Sequence, residues 1–196
     1  MQYLVIGRTD RSPQDLALAR AAVVADGEMI SLEQEWIFGA PLIARVDDGV
    51  PLADITALVP AGCNAFLVEG LAEPTAGKAF ILGAHTMRDI THFRTYAERV
   101  GEVVESFGGR FLARANEVTP VAGNVMPTRV VITEYPRADD AVAYYVSDAH
   151  APLLKLRLAT ANTRLVVLAR HGALPDSARS TLEHYLRRRH GAPRGY

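Results

Sequence analysis

The chain has 196 residues, 49% hydrophobic and 22% charged, which is the composition of an ordinary globular protein with apolar side chain enough for a sizeable core. With 21 basic and 22 acidic residues the net charge is −1, so no overall field draws in nucleic acid or an anionic membrane. The single cysteine, Cys63, excludes an internal disulfide and a Cys-rich zinc site, and reads as a small apolar residue near a strand start.

Met1 leads straight into a short apolar run and then Arg8, Asp10 and Arg11, without the basic start and longer apolar stretch of a signal peptide. No apolar run approaches the ~20 residues that span a bilayer. The expectation is a soluble, cytoplasmic protein.

In chain order, residues 2–7 read as a buried strand. Ser12-Pro13 is an N-cap with proline at the first helical position, Leu16, Ala19, Val23 and Val24 follow at helical spacing, and Asp26-Gly27 closes that helix. Residues 28–38 suit a strand, 42–46 another, 51–58 a short helix and 64–68 a last strand. Residues 73–77 are a linker, and then the order repeats. Residues 79–83 mirror the first strand down to its glycine, Gly7 in one copy and Gly83 in the other. Residues 88–107 form an amphipathic helix stopped by Gly108-Gly109, residues 110–118 a strand, and 129–135 another. A helix over 139–146, a helical excursion over 151–162 and a strand over 164–169 complete the copy.

The order β-α-β-β-α-β twice over predicts an α+β fold of tandem ferredoxin-like modules: residues 1–74, a degenerate copy, and 78–172, with a C-terminal helix and tail over 173–196. Such a module leaves one sheet face bare. Either the two modules close an α+β barrel on each other within one chain, or each pairs with its copy in a homodimer.

The second half carries a resemblance. Residues 107–114 (FGGRFLAR), residues 128–136 (TRVVITEYP), Ala141, Ala143, Tyr144, Tyr145, Ser147, Arg157 and residues 164–168 (RLVVL) together resemble the family catalogued as domain of unknown function 1330. The resemblance implies a place in the dimeric α+β-barrel superfamily. That superfamily includes cofactor-free monooxygenases, lactone isomerases, polyketide cyclases and haem-binding enzymes, and fold alone does not choose among them. The chain departs from the family at Ala115-Asn116, where a relative carries a second glycine, and at residues 147–150, where Ser-Pro-x-Tyr becomes Ser147-Asp148-Ala149-His150.

Polar residues on the strands and helices of this half supply the candidate site. His85, at a strand end before a helix start, suits a general base or an oxyanion partner, or is a hydrogen-bonding loop residue. His92, Tyr96 and Arg99 share one flank of the long helix, either a polar pocket wall or a solvated border. Arg114 and Asn116 lie on one side of their strand and Glu117 on the other. Glu134 sits among Val130 and Ile132, so its burial demands a partner, with Arg114, Arg129 or Arg157 available; ion pairing and acid/base work both stay open. Of Tyr144 and Tyr145, one is expected to pack inward and the other outward. Trp36 either lines a cavity between the modules or fills a core.

No glycine-rich phosphate loop, HExxH or GxSxG motif occurs, and the histidines show no zinc spacing. With none of these motifs present, the resemblance implies a cofactor-free, metal-free enzyme on a small organic molecule: a cyclase, isomerase or monooxygenase of natural-product or aromatic metabolism. His85 is its base, Arg114 or Asn116 polarises an oxygen and Glu134 tunes them, with His92, Tyr96, Tyr144, Tyr145 and Trp36 as binding residues. A non-catalytic small-molecule binder with the same pocket is the alternative.

Overall fold

Strand alternation sorts the second half into two faces. In β6 (Ala79–Met87), Phe80, Leu82 and Ala84 point to one side, while Ile81, Gly83 and His85 point to the other. The neighbouring strands β9 (Arg129–Tyr135) and β10 (Ala161–Ala169) do the same, with Val130, Ile132, Val166 and Leu168 joining the first set. Helices cover the second set. On α2 (Ile90–Ser106), Phe93, Tyr96, Val100 and Val104 form the buried stripe that packs there, with α3 (Ala138–Val146) and α4 (Ala151–Thr160) beside it. α5 (Asp176–His190) adds Ala178 and Leu182 to this layer.

The expected stop of α2 is a hydrogen-bonded one. Gly108, at φ 73°, donates its N–H to Glu105 O, and Gly109 N–H bonds Val104 O, the pair of bonds that closes a helix on a left-handed residue. Gly109 also admits Tyr135, whose ring would lie 2.5 Å from an added Cβ.

The computed structural model describes residues 1–8, 21–124 and 126–190. In the first half, β1 (Gln2–Arg8), β4 (Ala40–Val46) and β5 (Asn64–Glu69) match the expected strands, and α1 (Leu52–Ala57) the short helix. The helix expected from Ser12 to Gly27 is corrected where it can be seen. Ala21–Ala25 is strand β2, its valines packing sideways on β4, and residues 9–20 lie outside the described residues. The strand expected over 28–38 shortens to β3 (Met29–Glu33). The single strand expected over 110–118 is two, β7 (Arg110–Ala115) and β8 (Val118–Ala122), and they belong to different sheets.

Two five-stranded sheets result, with every neighbouring pair antiparallel: β2-β4-β1-β5-β8 and β3-β10-β6-β9-β7. Four strands of each half take corresponding places, β5-β1-β4-β2 in one sheet and β10-β6-β9-β7 in the other. The fifth strand of each sheet comes from the opposite half. β3 extends the second sheet beside β10, and β8 extends the first beside β5.

The bare faces of the two sheets meet within the one chain. Tyr3, Val5, Ile43, Phe66 and Val68 from the first sheet pack with Phe80, Leu82, Val130, Ile132, Val166 and Leu168 from the second. Trp36 is part of this inner layer, 4.9 Å edge-on to Phe38. Burial of each such aliphatic or aromatic side chain contributes about 1.5–3 kcal/mol. The outer face of the first sheet makes a smaller core with Ile55 of α1 and Cys63. Among the described residues no helix is long and apolar enough to cross a membrane.

Candidate functional site

A cleft opens between α2 and the helix-facing side of the second sheet. Its floor comes from alternate residues of three strands: Ile81, Gly83 and His85 of β6, Arg129, Val131 and Thr133 of β9, and Leu165 of β10. Its roof is Tyr96, Ala97, Val100 and Val104 of α2, and Tyr144 and Arg157 close the far end. The enclosed cavity is about 30 Å³, enough for one or two waters, within about 430 Å³ of atom-free space that includes the mouth.

The mouth depends on a bulge. Between Phe111 and Ala113 the β7–β9 register slips by one residue, and Leu112 and Ala113 both turn to the inner layer. Phe111 and Arg114, three apart, therefore land on the cleft side together. The Arg114 guanidinium stacks 4.6 Å from the Phe111 ring centroid, and Arg114 Nη2 donates to Ala97 O on the roof helix.

His85 lies inside the cleft at 2% exposure. Its Nδ1 is 3.0 Å from Thr163 Oγ1 on β10, and its Nε2 lies over Gly83, where a Cβ would come within 2.8 Å of it. Burial, then Arg157 and Arg129, hold the imidazole well below the ordinary histidine range, so it is neutral. Arg129 stands directly across from His85 in the sheet and reaches the exposed Asn116 through Nη1. Burial and then the charge of Arg114 lower its pKa.

Behind His85 a polar chain crosses to the other half of the protein. Arg157 Nη1 donates to Tyr96 Oη at 2.8 Å, and Arg157 Nη2 pairs with Glu33 of β3. Burial works against the Arg157 charge, but Tyr96 and Glu33 outweigh it and raise its pKa. Tyr145 Oη bonds Leu32 O at 2.9 Å and Glu33 Oε1 at 3.3 Å, and Arg189 of α5 reaches Tyr145 Oη at 2.8 Å. His150 lies wholly buried, its ring 4.5 Å from that of Tyr144, with burial holding its pKa down to about 3. Burial likewise pushes the Tyr144 and Tyr145 phenols up, so both stay protonated.

The structure thus brings His85, Tyr96, Arg114 and Tyr144 to one cleft, with Asn116 touching it through Arg129. It does not bring the rest. His92 is exposed and caps α2 with Asp89, Nδ1 to Oδ2 at 2.6 Å, and Arg99 is also exposed; only Tyr96 of that trio faces inward, because the buried stripe runs through 93, 96, 100 and 104. Tyr144 and Tyr145 are both buried rather than one in and one out, since α3 is covered by the sheet on one side and by α5 on the other. Trp36 sits in the inner layer, away from this cleft, and also borders a separate groove with Arg8, Gly27, Gly172 and Arg179.

Glu134 faces the inner layer too, on the strand side opposite Arg129 and Thr133. None of the three expected arginines reaches it. Its partners are Arg170 at 2.8 Å, Arg110 at 3.7 Å, Thr75 through backbone and hydroxyl, and the Gly77 N–H. It pins the linker between the halves.

Glu33, Arg129, Thr163 and His150 were not among the expected site residues. Arg157 and its neighbours carry a readable signal, because Leu153, Leu154, Arg157 and Thr160 fall on one helical face and place a guanidinium on an apolar stripe. Glu33 carries none, as the strand crossing that buries it is a tertiary event. Among the described residues no three His, Cys, Asp or Glu side chains converge as a metal site.

Residues 78–170 match the family model described as Domain of unknown function (DUF1330). That DUF1330 span contains every residue lining the cleft, whereas Glu33, which holds Arg157 from behind, lies outside it. Among curated proteins none matches the chain.

Proposed function

We propose that this protein is a cofactor-independent enzyme that moves a proton on a small organic carbon acid, the step shared by isomerases, cyclases and carbanion-type oxygenases. The observation that carries this reading is the neutral, buried His85 inside a cleft whose other polar groups are donors. With Nδ1–H donating to Thr163 Oγ1, Nε2 presents a lone pair over Gly83. A C–H next to a substrate carbonyl gives its proton to Nε2, and the electron pair moves onto the carbonyl oxygen. Tyr96 Oη, which accepts a hydrogen bond from Arg157, and the Arg157 guanidinium are placed to stabilise that developing enolate. Return of the proton at another carbon isomerises the substrate. Attack of the enolate on a second carbonyl cyclises it.

The fold reading that goes with this is a pair of ferredoxin-like modules, residues 1–74 and 78–172, closed as an α+β barrel of the dimeric superfamily kind within one chain. Two corresponding four-strand orders and the packed inner layer support it.

The test is hydrogen–deuterium exchange by NMR on small β-diketones and β-keto acids, acetylacetone and acetoacetate first, in heavy water. The wild-type chain is expected to exchange the activated C–H faster than buffer, and His85→Ala to lose that while keeping its melting temperature. Binding without exchange would instead favour a non-catalytic small-molecule binder, the reading that the narrow cavity also admits.

A further inference from the structure

Arg114 and Arg129 carry two guanidinium groups to the cleft with no carboxylate partner among the described residues, whereas the fully buried Arg157 is paired with Glu33 and the half-buried Arg170 with Glu134. Arg129 is 8% exposed, and among the described residues its only hydrogen-bond acceptor is the neutral Asn116 Oδ1. Its Nε is buried with no hydrogen-bond partner among the described residues. Arg114 has the Ala97 carbonyl and the Phe111 ring, again neutral groups. Removing an ion from water is costly unless an opposite charge and good hydrogen bonds replace the water. Here two like charges are drawn together with hydrogen bonds only to neutral groups and no opposite charge among the described residues, on strands whose alternation and bulge aim both at the same small space.

We propose that Arg114 and Arg129 form the seat for a carboxylate of the ligand. A planar carboxylate matches the fork of a guanidinium, and the orphaned Arg129 Nε supplies an unspent donor. Arg129 sits across the sheet from His85, so a carboxylate held there lies beside the imidazole. Burial chiefly, then the charges of Arg157 and Arg129, keep His85 from accepting a proton, and a carboxylate beside it offsets those charges. The inference rests on the proton-transfer reading for its consequence, which is that the substrate is a keto acid whose carboxylate switches the base on. The binding itself needs no turnover.

The experiment is thermal unfolding of the full chain at neutral pH and constant ionic strength with formate, acetate and benzoate, each beside its amide, and with inorganic phosphate. At least one carboxylate is expected to raise the melting temperature while its amide does not. Arg129→Gln is expected to weaken that carboxylate at least tenfold while unfolding, without ligand, no earlier than wild type, because it removes an unpaired buried charge. Arg114→Gln, at a half-buried position, is expected to weaken it similarly and serves if the first variant does not fold. His85→Ala should keep the response, which separates carboxylate seating from proton transfer. Equal responses to acid and amide, no response to any carboxylate, a response to phosphate alone, or responses retained in both arginine variants would each overturn the proposal.

Discussion

Glu33 and Arg157 stand 124 residues apart in the sequence and form an ion pair almost wholly removed from solvent. One comes from β3, the strand the first half lends to the second sheet, and the other from α4 at the end of the cleft. The first half therefore does more than cover a bare sheet, because its carboxylate fixes the guanidinium that holds Tyr96. Glu33→Gln leaves Arg157 charged and unpaired, and the expected loss is about 3–5 kcal/mol of stability. Glu33→Gln combined with Arg157→Met should recover part of that loss in urea unfolding. A double variant no better than the single would mean that the charge pair is not the reason.

Much of this architecture is legible in the residues, and the limits have physical causes. Alternation in β6 and β9 and the apolar periodicity of α2 are local, so those strands and that helix follow from the sequence, whereas packing turns Tyr96 inward and leaves His92 and Arg99 outside. The glycine pair Gly108-Gly109 marks the helix end for the same reason. The exchange of β3 and β8 is not local. Each is a short strand that either sheet edge could accept, and Val118 continues the pattern of β7 although it pairs with Val68 in the other sheet. Alternation gives the strand side of Arg114 relative to Asn116, but the bulge at Leu112 decides that Phe111 shares the cleft side with it. Glu134 is half legible: its shared face with Val130 and Ile132 is plain, while its partners lie in the linker and beyond β10.

Glu134 is a structural tie and not a group of the cleft. Glu134→Gln removes a charge that holds Arg170, Thr75 and Gly77 together. The expected cost is about 3–5 kcal/mol in chemical denaturation, as for other broken buried pairs. Carboxylate binding and proton exchange per folded molecule should stay at the wild-type level. Loss of either at full stability would put Glu134 in the reaction.

Gly83 makes the room that His85 uses. An alanine there places its Cβ 2.8 Å from His85 Nε2 and 2.9 Å from Leu165 Cδ1, so ring or leucine must move. Gly83→Ala is expected to cost about 1–3 kcal/mol from overpacking and to abolish exchange. Wild-type exchange rates in this variant would show that Nε2 is not the reacting atom. Gly7, its counterpart in β1, has a different reason, since a Cβ there would run into the Phe38 carbonyl.

Acid should unfold the protein through its two buried, neutral histidines. His85 and His150 have folded pKa values below the 6.5 of an exposed histidine, His150 down to about 3. The unfolded chain then binds more protons as pH falls below 6.5, so stability present above that value is lost on acidification, toward pH 3 for His150. Each group contributes a slope of about 1.4 kcal/mol per pH unit where only the unfolded form is protonated. Urea unfolding at stepped pH should show the decline, and His150→Gln should remove about half of it. Asp89 and Asp139, lowered by hydrogen bonds from His92 and Ser177, act only in the lower carboxylate range. A flat profile from pH 7 to pH 5 would contradict the burial of neutral histidine.

The most direct test of the account is the titration of His85 itself, followed by nitrogen NMR of the imidazole with and without benzoate. Free protein is expected to keep His85 neutral through the ordinary histidine range near 6.5, with Nδ1 carrying the proton. Bound carboxylate is expected to move its titration upward, in wild type but not in Arg129→Gln. A histidine that titrates normally in the free protein, or one that ignores a bound carboxylate, would contradict an anion-gated base in this cleft.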